Sequence, residues 1–106
     1  MLRIACSCIN GGGINFPHLN GIIISSYAQI GSNCRIYQQV TVGVNEFKDE
    51  YKSAFIGDRV YIGAGAKIIG PVIIGNDVVI GANAVVTKDI PEGSIVVGAN
   101  KILTKC

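Results

Sequence analysis

At 106 residues the chain has room for one domain and not two, and its 49% apolar share can fill a continuous core. A formal net charge of +2, with no basic stripe interleaved with aromatics, gives no electrostatic case for nucleic acid. No unbroken apolar run of about 20 residues exists to span a membrane.

Taken in order, the chain opens with Met1-Leu-Arg-Ile-Ala-Cys-Ser-Cys, which lacks the apolar region of a secretory signal, so the expected location is cytoplasmic. Residues 1–11 run into Gly11-Gly-Gly13, fit the repeat poorly and read as an opening coil or a loose leader. Cys6 and Cys8 form a Cys-x-Cys that would need two further metal ligands. The one histidine, His18, is in no zinc spacing, so no metal site is expected. His18 lies in Phe16-Pro-His-Leu-Asn-Gly-Ile-Ile-Ile24. Counting back in sixes from Ile24 puts it in a nominal inward slot, although Pro17 and the glycines upstream mark an irregular coil that could turn it toward a groove.

From Ile24 a period of six is plain: Ile24-Ser-Ser-Tyr-Ala-Gln, Ile30-Gly-Ser-Asn-Cys-Arg, Ile36-Tyr-Gln-Gln-Val-Thr, then Val42-Gly43. Cys34 falls in a fifth slot, where a small apolar core residue belongs, whereas Cys106 is terminal and expected to be exposed. Phase is then lost. Val42 to Ile56 is 14 residues, two more than two hexads, and residues 44–54 between them carry five of the sixteen charged residues. Such a polar insertion reads as a loop extruded from one corner of a scaffold. Phase returns from Ile56 to Pro91 in six hexads, whose first slot is always Ile or Val and whose second is Gly in four of six. The hexad continues as Glu92-Gly-Ser-Ile-Val-Val97, and Gly98-Ala-Asn-Lys-Ile-Leu103 ends the ladder.

A fixed period outranks local propensity, because each repeat can bury its apolar side only against its neighbours. Six is a multiple of the strand period of two and fits a helix poorly. Recurrent Gly also argues against helix, at about 1 kcal/mol each relative to Ala. Short strands joined by corners therefore close a three-sided coil of about 18 residues, stacked as parallel strands at about 4.8 Å. The first-slot Ile points inward, and the second-slot Gly is expected to turn the backbone. The fold class is all-β, a parallel β-helix in one domain over residues 1–106. So short a stack leaves open edges and flat faces, which favours self-association.

The run Pro17-His-Leu-Asn-Gly-Ile-Ile-Ile24, with Ala28-Gln-Ile-Gly31, Gln39-Val-Thr-Val-Gly43, the insertion, Ile62-Gly-Ala-Gly-Ala-Lys67 and Ile80-Gly-Ala-Asn-Ala-Val-Val86, resembles the catalytic domain of serine acetyltransferases. It resembles still more their relatives that O-acetylate bacterial surface polysaccharides. The hexads alone mark the wider hexapeptide-repeat acyltransferase superfamily. The resemblance implies a left-handed β-helix, a homotrimer, and acetyl-CoA as cosubstrate between adjacent subunits, with His18 as general base. It also implies that Gly43, Gly63, Ala64 and Gly65 line the pantetheine path, and that Lys67 and Lys101 sit near the CoA phosphates. The acceptor is a hydroxyl of a small molecule or sugar. Where serine acetyltransferases carry Asp before the His this chain has Pro17, and Lys52-Ser53-Ala54 stands in place of their Arg-His-Pro, so L-serine is not named by the motif. A γ-type carbonic anhydrase needs three His, and an ice-binding solenoid needs Thr ladders; one His and three Thr exclude both. A β-helix with a purely structural or assembly role is the alternative, and it predicts no CoA binding.

Overall fold

Each side of the coil is set by two inward residues two positions apart, with the residue between them facing out. The computed structural model describes residues 3–4, 13–14, 16–17, 21–25, 28–44 and 53–103. Ala28 and Ile30, Cys34 and Ile36, Val40 and Val42, Val60 and Ile62, Ala66 and Ile68, and Val78 and Ile80 are all at most 1% exposed. This is the strand period of two, repeated every six residues. Each Ile or Val so buried contributes roughly 1.5–3 kcal/mol, and together they form one continuous core.

The described strands are β1 (Arg3–Ile4), β2 (Ile23–Ile24), β3 (Gln29–Ile30), β4 (Arg35–Ile36), β5 (Thr41–Gly43), β6 (Phe55–Ile56) and β7 (Tyr61–Ile62). They continue with β8 (Lys67–Ile69), β9 (Ile73–Ile74), β10 (Val79–Ile80), β11 (Val85–Val86), β12 (Ile95–Val97) and β13 (Lys101–Leu103). A first face stacks β1-β2-β5-β8-β11, a second β3-β6-β9, and a third β4-β7-β10-β12-β13. All neighbours are parallel except β12 and β13, which are antiparallel. The inward residues align down each face: Ile24, Val42, Ile68 and Val86; Ile30, Ile56 and Ile74; Ile36, Ile62, Ile80 and Val96. This is the left-handed parallel β-helix. Pairing of Ile4 with Ile24 makes Arg3–Ile4 part of an opening coil.

The corners differ from expectation. Positive φ falls in the fourth slot, at Asn33, Gln39, Arg59, Gly65, Asp77, Asn83 and Gly93, with values from 57° to 76°. The second-slot glycines do not supply the turn. They are small because the next coil lies against them: a Cβ on Gly63 would be 2.7 Å from the Ala82 nitrogen, and one on Gly75 2.6 Å from that of Glu92.

Two phase slips also read differently in three dimensions. Val42 belongs to the first face and Ile56 to the second, so the 14-residue gap is one side of six plus eight extra residues within a single corner. Val44, Ser53 and Ala54 flank it; residues 45–52 lie outside the described residues. The other slip is a shortening. Ile90, 2% exposed and bridged to Ile74, is the inward residue of the second face, whereas Glu92 is exposed. It follows Val86 by four residues, not six. The Asp89 carboxylate makes this possible by accepting the Ile73 N–H at 2.8 Å, while the Ile90 N–H donates to the Ile73 carbonyl at 2.9 Å.

Among the described residues no helix is long and apolar enough to cross a membrane.

Candidate active site

The corner that joins the third face to the first gathers most of the residues singled out from the sequence. In successive coils it consists of Tyr37-Gln38-Gln39, Gly63-Ala64-Gly65 and Gly81-Ala82-Asn83, knitted by backbone bonds. The Gly65 N–H donates to the Gln38 carbonyl at 3.0 Å, and the Asn83 N–H to the Ala64 carbonyl at 2.8 Å. Gly65, with φ at 76°, would carry a Cβ into the side-chain oxygen of Asn83. Lys67 begins β8 one residue beyond this corner. Its ammonium folds back on the turn, donating to the Gly65 carbonyl at 2.7 Å and the Gln39 carbonyl at 3.0 Å. A fixed positive charge is thereby held over a corner reduced to glycine and alanine.

The coil above ends at the same column. Gly13 stacks on Asn33, and Gly21 on Gln39, whose side-chain Cδ a Cβ at Gly21 would approach to 2.6 Å. Asn33 and Gln39 are six residues apart, whereas Gly13 and Gly21 are eight apart, so the first coil carries two extra residues between them. The pairing of Ile4 with Ile24 agrees, at 20 residues where 18 is the repeat. In sequence His18 falls between Gly13 and Gly21. His18 itself lies outside the described residues, as do Cys6, Cys8 and Cys106.

The remaining candidates are placed apart. Gly43 ends β5 at the opposite edge of the first face; its carbonyl accepts the Gly70 N–H and the Ser53 hydroxyl, both at 3.0 Å. Near it, at the corner between first and second faces, a cleft of about 230 Å³ is lined by Ile69, Gly70, Pro71, Val72, Thr87, Lys88 and Asp89. Lys101 is exposed and opposes Val97 at the far end of the third face, beside the last turn of the third-to-first corner.

Sequence reasoning gave no role to Gln38. Its side-chain Oε1 is buried and accepts no hydrogen bond among the described residues. The signal was available: the same slot in the next two coils holds Ala64 and Ala82, so the corner does not require a long polar side chain. Beside Gln38, the ring of Tyr37 meets that of Tyr61 at 5.2 Å, tilted by 50°. The Tyr37 hydroxyl, by hydrogen bonding, raises the Tyr61 pKa above the usual tyrosine value.

Residues 53–88 match the model of the bacterial transferase hexapeptide family, described as six repeats. The chain is 44% identical over 97 residues to a serine acetyltransferase of Helicobacter pylori, a match covering 90% of this chain and 56% of that one. The crystal structure of Neisseria gonorrhoeae serine acetyltransferase is similar at a TM-score of 0.85 and 34% identity, over 92% of this chain and 39% of that chain. A serine acetyltransferase in complex with CoA is similar at 0.81 and 34%, over 91% and 40%. The chain thus spans about half the length of the Helicobacter relative and less of the solved chains.

Proposed function

We propose that this chain is an acetyl-CoA-dependent O-acetyltransferase that works as a homotrimer, with acetyl-CoA lying between adjacent subunits and His18 as general base. The observation that carries the reading is the third-to-first corner. There Gly63, Ala64, Gly65 and Lys67 stack beneath Gln39 and Gly21. The similarity to a serine acetyltransferase that binds CoA supports the same ligand here.

The chemistry suits these residues. Neutral imidazole removes the proton of an acceptor hydroxyl as the oxygen attacks the thioester carbonyl, which contributes typically about 10²–10⁴-fold. Amide N–H groups of the protein stabilise the oxyanion. Collapse of the tetrahedral intermediate breaks the C–S bond, and the imidazolium returns its proton to the departing CoA thiolate. Gly63, Ala64 and Gly65 of one subunit and Gly43, from the opposite edge of the first face of its neighbour, flank the pantetheine arm, and Lys67 and Lys101 supply cations for the phosphates. The acceptor is a small-molecule hydroxyl. The names of the relatives favour L-serine, and sugars are the comparison that Pro17 and Lys52-Ser53-Ala54 call for.

The test measures thiol release from acetyl-CoA with L-serine and with sugars, beside thermal melting with CoA. CoA must raise the melting temperature of the wild type and of His18→Ala alike, since a ligand of the native state stabilises it. His18→Ala should lose turnover by a factor of at least about 10². Undiminished turnover in the variant removes the general-base role, and no shift at millimolar CoA removes the whole reading.

A further inference from the structure

Gln38 is the one described residue whose buried side-chain oxygen lacks a hydrogen-bond donor. A buried acceptor left unpaired costs about 1–3 kcal/mol, and corners of this fold ordinarily avoid it. At the corner between second and third faces, the equivalent slot shows how. The Asp58 carboxylate accepts the Ser32 N–H of the coil above at 2.8 Å, and Asn76 Oδ1 accepts the Asp58 N–H at 2.7 Å. There each polar side chain closes the turn above it. At the third-to-first corner the next two coils place Ala64 and Ala82 in this slot, and backbone bonds close the turns without them. Among the described residues, Gln38 therefore carries a polar arm that neither stacks the corner nor pairs within it.

Resting on the acetyl-CoA reading above, we propose that Gln38 is a ligand-reading residue: its Oε1, buried and unpaired in the free chain, turns outward to accept an amide N–H of the pantetheine arm. Three observations favour this occupant over the hydroxyl acceptor. The unpaired group is a neutral carbonyl oxygen, which suits a neutral amide donor, and the pantetheine arm has two such amides. The next coil of the corner, Gly63-Ala64-Gly65, bears no side chain larger than a methyl, which suits a slim unbranched chain lying along it. Lys67, tied to the Gly65 and Gln39 carbonyls, holds a cation beside the same path, suited to the phosphorylated end of the ligand.

The experiment compares wild type with Gln38→Met, which keeps the shape without the carbonyl, and Gln38→Glu, which keeps an accepting oxygen. Gln38→Ala, which copies the next two coils, serves if the methionine variant folds poorly. Affinity is measured by calorimetry for CoA and for adenosine 3′,5′-bisphosphate, the nucleotide without the arm. Gln38→Met should weaken CoA by about 3- to 10-fold, the value of one neutral hydrogen bond, and leave the bisphosphate unchanged. Gln38→Glu should lose less, and the melting temperature of Gln38→Met should not fall. Unchanged CoA affinity with a raised KM for the hydroxyl acceptor overturns the proposal, as does a parallel loss for both ligands with a lower melting temperature. Either result leaves the acetyltransferase reading standing. A wild type that binds neither ligand overturns both.

Discussion

At the scale of single residues, the corners separate two uses of glycine that look alike in the sequence. Gly65 and Gly93 both occupy the fourth slot with positive φ, at 76° and 74°. A Cβ on Gly65 would collide with Asn83, whereas one on Gly93 meets nothing within 4 Å. Gly93→Ala should therefore cost only the left-handed backbone penalty of about 1–2 kcal/mol, and Gly65→Ala that penalty together with displacement of the exposed Asn83 side chain. Urea unfolding of the two variants checks this, and equal losses would refute the stacking argument. Gln39 and Arg59 hold the same left-handed conformation without being Gly, Asn or Asp, which is why the sequence did not mark them as turns. Each has a tie to a neighbouring coil: the Gln39 carbonyl accepts the Lys67 ammonium, and the Arg59 guanidinium forms a bidentate pair with Asp77 at 2.8 and 3.2 Å. Tyr61 gives a titration of known sign. Its pKa is raised chiefly by the hydrogen bond with Tyr37, so the folded state holds the phenolic proton more tightly than the unfolded chain. That contribution is whole below the ordinary tyrosine range and is lost as pH rises through the folded pKa. Tyr37→Phe should shift Tyr61 back toward the ordinary value in an ultraviolet titration of tyrosinate.

At the scale of the element, two-residue strands have almost no stability of their own, and their register rests on which side chain points inward. In β9, Ile74 is 1% exposed and its neighbour Ile73 is 58% exposed. Ile74→Ala should cost about 2–5 kcal/mol from lost burial and the cavity left behind. Ile73→Ala should change stability by no more than about 0.5 kcal/mol. Comparable losses at both positions would mean that the strand is slipped by one residue, which reverses its faces. This alternation is the part of the fold most legible in the sequence, because burial is periodic and the period is written in Ile and Val. Where a side chain replaces a backbone partner, the period fails. Asp89 standing in for a strand acceptor shortened one side by two residues, and nothing in the hexad pattern marks that substitution. The widened first coil is similar: Gly13 and Gly21 are two residues further apart in sequence than Asn33 and Gln39, on which they stack, and the hexads that begin at Ile24 do not mark it.

At the scale of the whole molecule, the stack must end somewhere without offering an open strand edge. Parallel coils cannot close on themselves as a barrel does, so the last coil exposes a row of unpaired backbone groups unless something covers it. Here the chain turns back on itself. Asn100, with φ at 59°, accepts the Thr87 N–H at 2.7 Å and donates to the Thr87 hydroxyl at 2.8 Å, which fixes the reversal. β13 then runs antiparallel along β12, pairing Val97 with Lys101 and Ile95 with Leu103. Lys101 thus serves the end of the ladder whatever it does for a phosphate, and the sequence, which showed only that the hexads stop at Gly98, did not disclose the reversal. A chain ending at Asn100 keeps every inward residue of the core yet uncovers the β12 edge. It should melt at a lower temperature and associate with rising concentration, seen as growth in light scattering beyond the wild-type assembly. A truncated chain with the same melting point and mass as the full one would show that β13 is not what protects that edge.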